Sequence, residues 1–292
     1  TTLDYLHARN PHLNIMATTA TPGRPDGEDL HHLIRHAPHT TIGYLELERA
    51  GQILIPETRV ARVPMKDGTM LSSFVAGHSP KLKEGLEGIG ALIEKNRPDT
   101  FIDDAIRQWE LHFADRHARE HPGVPLPGTL VFESSTEHAE AFARRAAESG
   151  ISVAVIDSKH SDDHNDKALA AYEKGELAMV ISCKKLDEGI DVPRTRCVMI
   201  NRRSTSEVEY HQMAGRAMRR GSDPDLANVQ PLLIDCGAST AMHGTLKNRA
   251  KAIDYIQDLL NGRDMPPIMQ SKELQADPEK GFSAWRLMAD PP

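Results

Sequence analysis

The sequence contains no long apolar run and no cysteine cluster. Its 292 residues nowhere approach the roughly 18 consecutive apolar residues that a membrane helix needs. No basic-then-apolar leader opens the chain, so neither membrane insertion nor secretion is predicted and a cytoplasmic location is expected. Cysteine occurs only at Cys183, Cys197 and Cys236, without a C-x-x-C pair. Buried reduced thiols are therefore favoured over zinc sites or disulfides.

Basic residues are outnumbered by acidic ones. The chain has 35 Lys and Arg against 42 Asp and Glu, which gives a net charge of −7. This balance argues against a uniformly basic nucleic-acid-binding protein and leaves only a local basic surface possible. The 15 histidines show no metal-ligand spacing beside a cysteine pair, so no metal site is predicted.

From Gly128 onward, short apolar runs alternate with amphipathic stretches. The predicted strands are 128–134, 151–157, 177–183, 195–201 and 229–236, and the predicted helices between them are 136–149, 162–174 and 206–220. Alternation of this kind predicts an α/β fold, in which a parallel sheet carries helices on both faces and so forms three layers.

Smaller features add detail to this outline. Ser134 with Glu137 and Ser204 with Glu207 have the spacing of a capping box, which marks two helix starts. Residues 61–65 are typical of a strand, but one without neighbouring strands to pair with. Two helical patterns follow, over 81–96 and 99–120, and residues 245–262 form a third, C-terminal one.

The stretch "EYHQMAGRAMRRG" at 209–221 concentrates arginine. A helix over 206–220 would place Gln212, Arg216 and Arg219 on one face, at positions i, i+4 and i+7. Glycine inside a helix costs about 1 kcal/mol relative to alanine, so Gly215 suggests that something approaches the backbone there. A merely solvated arginine face is the alternative. The opposite, apolar face would consist of Tyr210, Ala214 and Ala217.

The stretch "LDEGIDVP" at 186–193 follows the predicted strand 177–183. Ligands of open parallel sheets bind at the carboxyl ends of strands, so this loop and the arginine helix are expected to border one crevice. Gly189 would permit close backbone approach, and Asp191 could accept hydrogen bonds from a ribose. Alternatively, Asp191 caps a turn.

Four stretches together resemble the second RecA-like lobe of superfamily 2 helicases and translocases, of the DEAH-related, type III restriction-motor-like group. "MATTATPGRPDG" (16–27) is similar to motif III, and "LVFESSTEHAEAFA" (130–143) to motif IV. "CKKLDEGIDVP" (183–193) is similar to motif V, and "QMAGRAMR" (212–219) to the Q-x-x-G-R-x-x-R form of motif VI. The resemblance covers residues 13–240 and implies a three-layer RecA-like fold.

The resemblance also implies a role for each matched residue. Gln212, Arg216 and Arg219 would face the triphosphate of ATP between two lobes, and the two arginines would be fingers that stabilise the transferring phosphoryl group. Gly189 and Asp191 would contact the nucleotide. The residues that couple hydrolysis to lobe movement would be Thr19, Ala20 and Thr21.

Two further helicase elements do not occur in the sequence. It has no G-x-x-x-x-G-K-[ST] phosphate loop and no DEAH or DECH box. In the family both precede motif III, so ATP and Mg²⁺ would be bound mainly by an N-terminal helicase lobe. This chain alone is expected to bind ATP weakly and to hydrolyse none. Because Thr1 is not methionine, the chain is expected to begin part-way through a domain, with a processed or tag-trimmed start as the alternative.

A basic stretch suggests contact with nucleic acid. Between residues 194 and 220, seven arginines stand against two glutamates, a local excess of five positive charges. The family grips the phosphate backbone of DNA or RNA with motifs IV and V, independently of base sequence. The candidate contacts here are Lys184, Lys185, Arg202 and Arg203. A solvated basic edge is the alternative, and Trp109 with Phe113 is expected to be core, not a base-stacking platform.

The predicted organisation is therefore fourfold. It comprises a remnant of lobe 1 (1–50), a connecting strand and helices (51–127), the RecA-like C-terminal lobe (128–262) and a tail (263–292). The leading interpretation is the motor lobe of an ATP-dependent helicase or translocase. The alternatives are a catalytically silent nucleic-acid-binding or interaction module, and the motor part of a restriction system, although no nuclease motif is visible.

Overall fold

One parallel sheet organises the chain. The structure is a computed structural model that describes residues 44–61, 64–69, 95–183, 192–204, 206–220 and 224–247. Within these residues the sheet has six strands in the order β1-β6-β5-β2-β4-β3, all paired in parallel. The strands are β1 Glu57–Val60, β2 Gly128–Phe132, β3 Val153–Ile156, β4 Met179–Ser182, β5 Thr195–Ile200 and β6 Leu232–Asp235.

The helices fill the gaps between strands as the alternation predicted. They are α1 Tyr44–Arg49, α2 Phe101–Trp109, α3 Asp115–Glu120, α4 Thr136–Glu148, α5 Asp162–Glu173, α6 Glu207–Gly215 and α7 Thr240–His243. A π-helical turn, Glu110–Ala114, joins α2 to α3. The predicted α/β fold is confirmed, and each of the five strands predicted after Gly128 contains an observed strand.

Helices α5 and α6 cover one face of the sheet. Successive side chains of a strand point to opposite faces, so β2 contributes Leu130 and Phe132 to this side. They pack with Tyr172 of α5 and with Tyr210 and Met213 of α6, all completely or almost completely buried. Ala214 and Ala217 belong to the same core, so the predicted burial of Tyr210, Ala214 and Ala217 is confirmed.

Helices α2 and α4, with the π-helical turn, cover the other face. Val131 of β2 meets Phe142 of α4 and Trp109 of α2 in this second core. The indole nitrogen of Trp109 donates a 2.8 Å hydrogen bond to the Thr129 hydroxyl, which satisfies both buried polar groups. Trp109 and Phe113 are each 4% exposed, so the prediction that they are core residues is confirmed.

The strand predicted at 61–65 is placed differently in the structure. The observed strand β1 ends at Val60 and pairs with β6 along the main sheet, with Glu57 opposite Leu232 and Val60 opposite Asp235. It therefore has a sheet partner, contrary to the prediction. The partner lies 175 residues further along the chain, as the 2.9 Å bond from Gln230 to the Ile55 carbonyl illustrates. Local sequence patterns carry no information about pairing over that distance.

Both predicted capping boxes are displaced. The cap of α4 is Ser135, whose hydroxyl accepts a 3.1 Å hydrogen bond from the His138 amide. Ser134 instead contacts the His138 ring at 2.7 Å. The cap of α6 is Ser206, which bonds the Glu209 amide at 3.3 Å. Neighbouring serines offer equivalent hydroxyls, and only the observed backbone geometry selects between them.

The fourfold division into 1–50, 51–127, 128–262 and 263–292 stays a prediction. In the described part of the chain, β1 belongs to the main sheet and α2 to its core. A boundary at Gly128 would therefore cut through one continuous hydrophobic layer.

Gly237, after β6, allows two loops to pack closely. A Cβ atom built on it would lie 2.1 Å from the Arg202 carbonyl oxygen, which is a backbone atom and cannot rotate away. We expect Gly237→Ala to lower the free energy of unfolding by about 1 to 3 kcal/mol, the usual cost of overpacking. Urea denaturation measures it. Gly215→Ala is the matched control, because a Cβ there meets no described atom within 4 Å and should not destabilise. Equal effects of the two substitutions would contradict the packing argument.

Candidate functional site: the arginine segment after α6

Helix α6 is shorter than predicted. It ends at Gly215, and Arg216 is its C-terminal cap. Residues 216–218 continue as a tighter turn, in which the amides of Arg216, Ala217 and Met218 bond carbonyls three residues back at 3.1–3.2 Å. The prediction of one helix over 206–220 is therefore wrong, and Arg219 does not share a helical face with Gln212 and Arg216.

Residues 53–54 explain where the helix ends. The Leu54 amide donates a 2.9 Å bond to the Met218 carbonyl, and Ile53 forms an antiparallel bridge with Arg219. The Arg220 guanidinium adds a 3.3 Å bond to the Gly51 carbonyl. These pairings require extended backbone at Arg219, so the helix has to stop before it. We call residues 216–220 the arginine segment.

The arginine segment borders open space beside Gly215. Gln212, Gly215 and Arg219 are half-buried, whereas Arg216 is 8% exposed. No described residue approaches the position of a Gly215 Cβ within 4 Å, so the close approach predicted there is not made by this part of the protein. Within the described part of the chain, this space is unfilled.

The arginine segment lies at the amino end of β5, not at the carboxyl edge of the sheet as predicted. One nitrogen of Arg196, Nη1, donates to the carbonyls of Thr195 at 2.8 Å, Arg219 at 2.9 Å and Pro193 at 3.0 Å. Since α6 has nine residues, it rises about 13 Å and carries the chain back along β5. Pro193 and Arg219 nevertheless lie close together, because both carbonyls accept from the same nitrogen of Arg196. The shared crevice stays a prediction.

Several of the arginines that make up the local basic excess are buried and do not form a basic surface. Arg196 is fully buried, since β5 lies inside the sheet, and Arg202 is 9% exposed. The Arg202 guanidinium donates to the Glu209 carboxylate at 2.6 Å. Arg203 is half-buried, and burial lowers its pKa although nearby Asp235 acts in the opposite direction. Arg220 is exposed. Contact of Arg202 and Arg203 with nucleic acid stays a prediction.

Asp235 fixes the loop that carries Arg202 and Arg203. Its buried carboxylate accepts hydrogen bonds from the amides of Thr240 at 2.6 Å and of Gly237 and Ser239 at 3.1 Å. Burial raises the pKa of Asp235, and these amides partly offset the rise. The Ser239 hydroxyl in turn donates to the Arg202 carbonyl at 3.3 Å. Sequence reasoning missed this residue, although an acidic residue that ends a buried strand and precedes Gly and Ser was a visible sign.

A second buried network joins the loops after β2 and β5. Asn201 donates to Glu133 at 2.6 Å, and the Arg97 guanidinium reaches Glu133 at 3.3 Å and the Asn201 carbonyl at 3.1 Å. All three groups are at most slightly exposed. The network connects residues from 97 to 201 along the carboxyl edge of the sheet and so fixes the geometry of that edge.

Several predicted site residues lie outside the described part of the chain. These are Thr19, Ala20, Thr21, Lys184, Lys185, Gly189 and Asp191. Among the described residues, no group of three or more His, Cys, Asp or Glu side chains could hold a metal ion. Nor does any helix there have the length and apolar character needed to cross a bilayer. None of the three cysteines forms a disulfide among the described residues, where Cys197 and Cys236 are buried and Cys183 is half-buried.

Comparison with known proteins finds a family match within the sheet. Residues 126–221 match the family described as "Helicase conserved C-terminal domain". This segment is similar to the conserved C-terminal domain of helicases. The match contains β2, β3, β4, β5 and the whole arginine segment, so the resemblance based on motifs IV to VI is confirmed for this region.

Two curated relatives and one solved structure give the wider context. A 51.5 kDa protein of Lactococcus phage (isolate 7-9) is 27% identical over 144 residues, which are 49% of this chain and 31% of that protein. IRC3 of Saccharomyces cerevisiae, named as an ATP-dependent helicase, is 24% identical over 104 residues, or 36% of this chain and 15% of that protein. The chain thus spans less than a third of either relative.

The solved structure supports the fold over a longer stretch. It is a fragment assigned as the HsdR subunit of a type I restriction enzyme from Vibrio vulnificus YJ016. The match has a TM-score of 0.50 at 20% identity and covers 77% of this chain and 40% of that one. At this identity the likeness concerns the fold alone.

His211, next to Gln212, gives a test of how the arginine segment is packed. It is 5% exposed, and burial lowers its pKa to about 4, with His243 adding to the effect. The unfolded chain therefore binds more protons between about pH 6.5 and 4, and stability falls as pH drops through that window. We expect a loss of about 3 kcal/mol that is already complete near pH 4. His211→Gln should reduce this loss in urea denaturation at each pH. An equal loss in both proteins, or an imidazole that titrates above pH 6 by NMR, would contradict the assignment.

Proposed function

We propose that the chain is the second motor lobe of an ATP-dependent nucleic-acid helicase or translocase, supplying arginine fingers and part of a nucleic-acid track. One observation carries this proposal. Gln212, Gly215 and Arg219 are half-exposed beside open space, and the backbone of Arg219 is held next to Pro193, at the end of the segment matched to motif V.

The residues present fit a bound triphosphate. Apart from the chain neighbours of Gly215, no described side chain lies within 4 Å of a Cβ built there, which leaves room for a ligand to approach the helix end. Arg219 and Arg216 offer planar, forked N–H groups that match the oxygens of a phosphoryl group better than lysine would. ATP, when bound, supplies the phosphoryl group that is transferred. The chain's arginines would stabilise the negative charge that develops on the phosphoryl group. Gln212 would orient the triphosphate from the same side of the site.

The remaining groups would come from a first lobe. A phosphate loop and acidic box are not in the sequence of this chain. One relative, IRC3, is named as an ATP-dependent helicase, and this chain matches only 15% of its length. We infer that Mg²⁺ and most of the ATP contacts belong to that lobe, and that Gly189, Asp191 and the motif III residues Thr19, Ala20 and Thr21 complete the cleft.

Nucleic acid would contact the carboxyl edge of the sheet. Arg203 is half-buried there, and the two lysines of the motif V segment, Lys184 and Lys185, would extend the track. Arg202 would contribute indirectly, since its guanidinium is paired with Glu209 and its carbonyl is bonded by Ser239. Contacts of this kind bind phosphates and are independent of base sequence.

The finger assignment predicts a specific loss of rate. The 292-residue chain should show no ATPase activity above background, whereas a protein extended to include a first lobe with a phosphate loop should hydrolyse ATP at about 1 s⁻¹ or faster with nucleic acid present. In that protein, Arg219→Ala should lower kcat by about 10³-fold or more, because the charge on the phosphoryl group is no longer stabilised.

Arg144→Ala is the control for this experiment, since Arg144 is exposed on α4, away from the arginine segment. Its kcat should equal that of the parent. If Arg219→Ala also keeps the parental rate, the finger assignment is wrong. If the extended protein binds nucleic acid but hydrolyses no ATP, the chain is a silent binding module.

The track assignment predicts a change in salt dependence. Binding of fluorescent single-stranded DNA should weaken with salt, and each phosphate contact contributes about 0.7 to 0.9 to the slope of log K against log[salt]. Arg203→Ala should reduce the slope by about one contact and weaken binding to every sequence alike. Anisotropy titrations across a salt series measure this effect.

Arg202→Ala separates positioning from direct contact. It removes the partner of the half-buried Glu209 and should lower the free energy of unfolding by about 1 to 3 kcal/mol. The salt slope should remain closer to that of the parent than with Arg203→Ala. An unchanged slope and affinity for Arg203→Ala would show that the track does not include Arg203.

A further inference from the structure

Arg196 is an arginine inside the sheet. It is the second residue of β5 and has no exposed surface, which makes it the largest fully buried side chain of the described residues. A buried guanidinium costs several kcal/mol unless its N–H groups are hydrogen-bonded. What it bonds is therefore decisive for the structure around it.

Arg196 bonds the backbone of three separate segments. Nη1 lies within 3.0 Å of the carbonyls of Pro193, Thr195 and Arg219. Nε donates to the Leu226 carbonyl at 3.1 Å. The side chain thus connects the start of β5 to the arginine segment and to the loop that leads into β6.

Two of these carbonyls belong to the proposed nucleotide site. Arg219 is the proposed finger, and Pro193 follows the predicted nucleotide contact Asp191 by two residues. The backbone of Arg219 is held from two directions, by Arg196 on its carbonyl and by the bridge with Ile53. Movement of the Arg219 carbonyl away from Arg196 would remove one of the three carbonyls that accept hydrogen bonds from Nη1 inside the protein.

We propose that Arg196 is a positioning residue, whose guanidinium fixes the backbone of the finger Arg219 relative to the end of the motif V segment at Pro193. It does not touch the nucleotide. Its effect on rate rests on the proposed function, whereas its effect on the backbone of the arginine segment does not.

The geometry explains why the residue is an arginine. The guanidinium is planar, so Nε and Nη1 donate in two fixed directions, toward Leu226 and toward the group of three carbonyls. A lysine carries a single nitrogen on a flexible stem and cannot serve both directions. Arg196→Lys should therefore keep the charge and only part of the connection.

The first test uses hydrogen exchange in the 292-residue chain. In Arg196→Met, the Leu54 amide, which is bonded to Met218, and the amides of 216–220 should exchange about 10-fold faster or more than in the parent. Amides of β2 and β4 should keep the parental exchange rates. The Arg219 carbonyl should also shift in ¹³C NMR.

Arg194→Met is the matched control. Arg194 lies two residues earlier and also donates to backbone carbonyls, those of Leu177 at 3.3 Å and of Leu126. Neither of these carbonyls belongs to the arginine segment. Exchange at Leu54 and at 216–220 should therefore be that of the parent, even if the substitution lowers Tm.

The second test measures rates in the protein extended by a first lobe. Arg196→Met should lower kcat by about 10- to 100-fold, the effect of a displacement of about 1 Å at a catalytic group, and change the KM for ATP by less than about 3-fold. Arg196→Lys should have an intermediate kcat. Arg194→Met should have the parental kcat.

Each outcome decides the proposal. If Arg196→Met accelerates exchange equally in all strands and keeps the parental kcat at a temperature where it is folded, Arg196 is only a core residue and the proposal is wrong. If Arg196→Met does not fold, Arg196→Lys decides by the same two measurements, and parental exchange and kcat overturn it. If Arg219→Ala keeps the parental rate, the proposed function fails, and the exchange of 216–220 still decides whether Arg196 positions this segment.

Discussion

The burial of β5 on both faces is the constraint on which the rest of the structure depends. Every residue from Thr195 to Ile200 is buried, so any polar group on the strand has to find its partners inside the protein. At its amino end this requirement ties Arg196 to the Arg219 carbonyl of the arginine segment. At its carboxyl end it ties Asn201 to Glu133. The site is therefore organised from the inside of the sheet outward.

The strands could be predicted because a parallel sheet covered on both faces leaves continuous apolar runs in the sequence. Trp109 could be assigned to the core for a similar reason, since helical spacing places it with Phe113 on one apolar stripe. The end of α6 could not be predicted. Residues 216–219 are good helix formers, and only pairing with residues 53–54, far away in sequence, stops the helix.

Part of the candidate site could also be predicted from the sequence, and part of it could not. Gln212, Arg216 and Arg219 were recognisable from their spacing, whereas the role of Arg196 was not, because counting charges treats every arginine in a stretch as surface. A charge at the second position of an otherwise apolar strand, "TRCVMI", was the available sign of a buried arginine. Asp235 gave a similar sign at the end of β6. Its hydrogen-bond partners, which lie within Gly237 to Thr240, can be recognised only in the three-dimensional structure.

The pairing of β1 with β6 also has a consequence for synthesis of the protein. Glu57 lies opposite Leu232, so β1 leaves the ribosome long before its partner exists. At translation rates of about 5 to 20 residues per second, this interval lasts roughly 10 to 35 seconds. During that time β2, β3, β4 and β5 can already assemble, while β1 waits as an unpaired strand with Val60 exposed. The edge of the nascent sheet is thus most open to chaperones, and to wrong partners, in this interval.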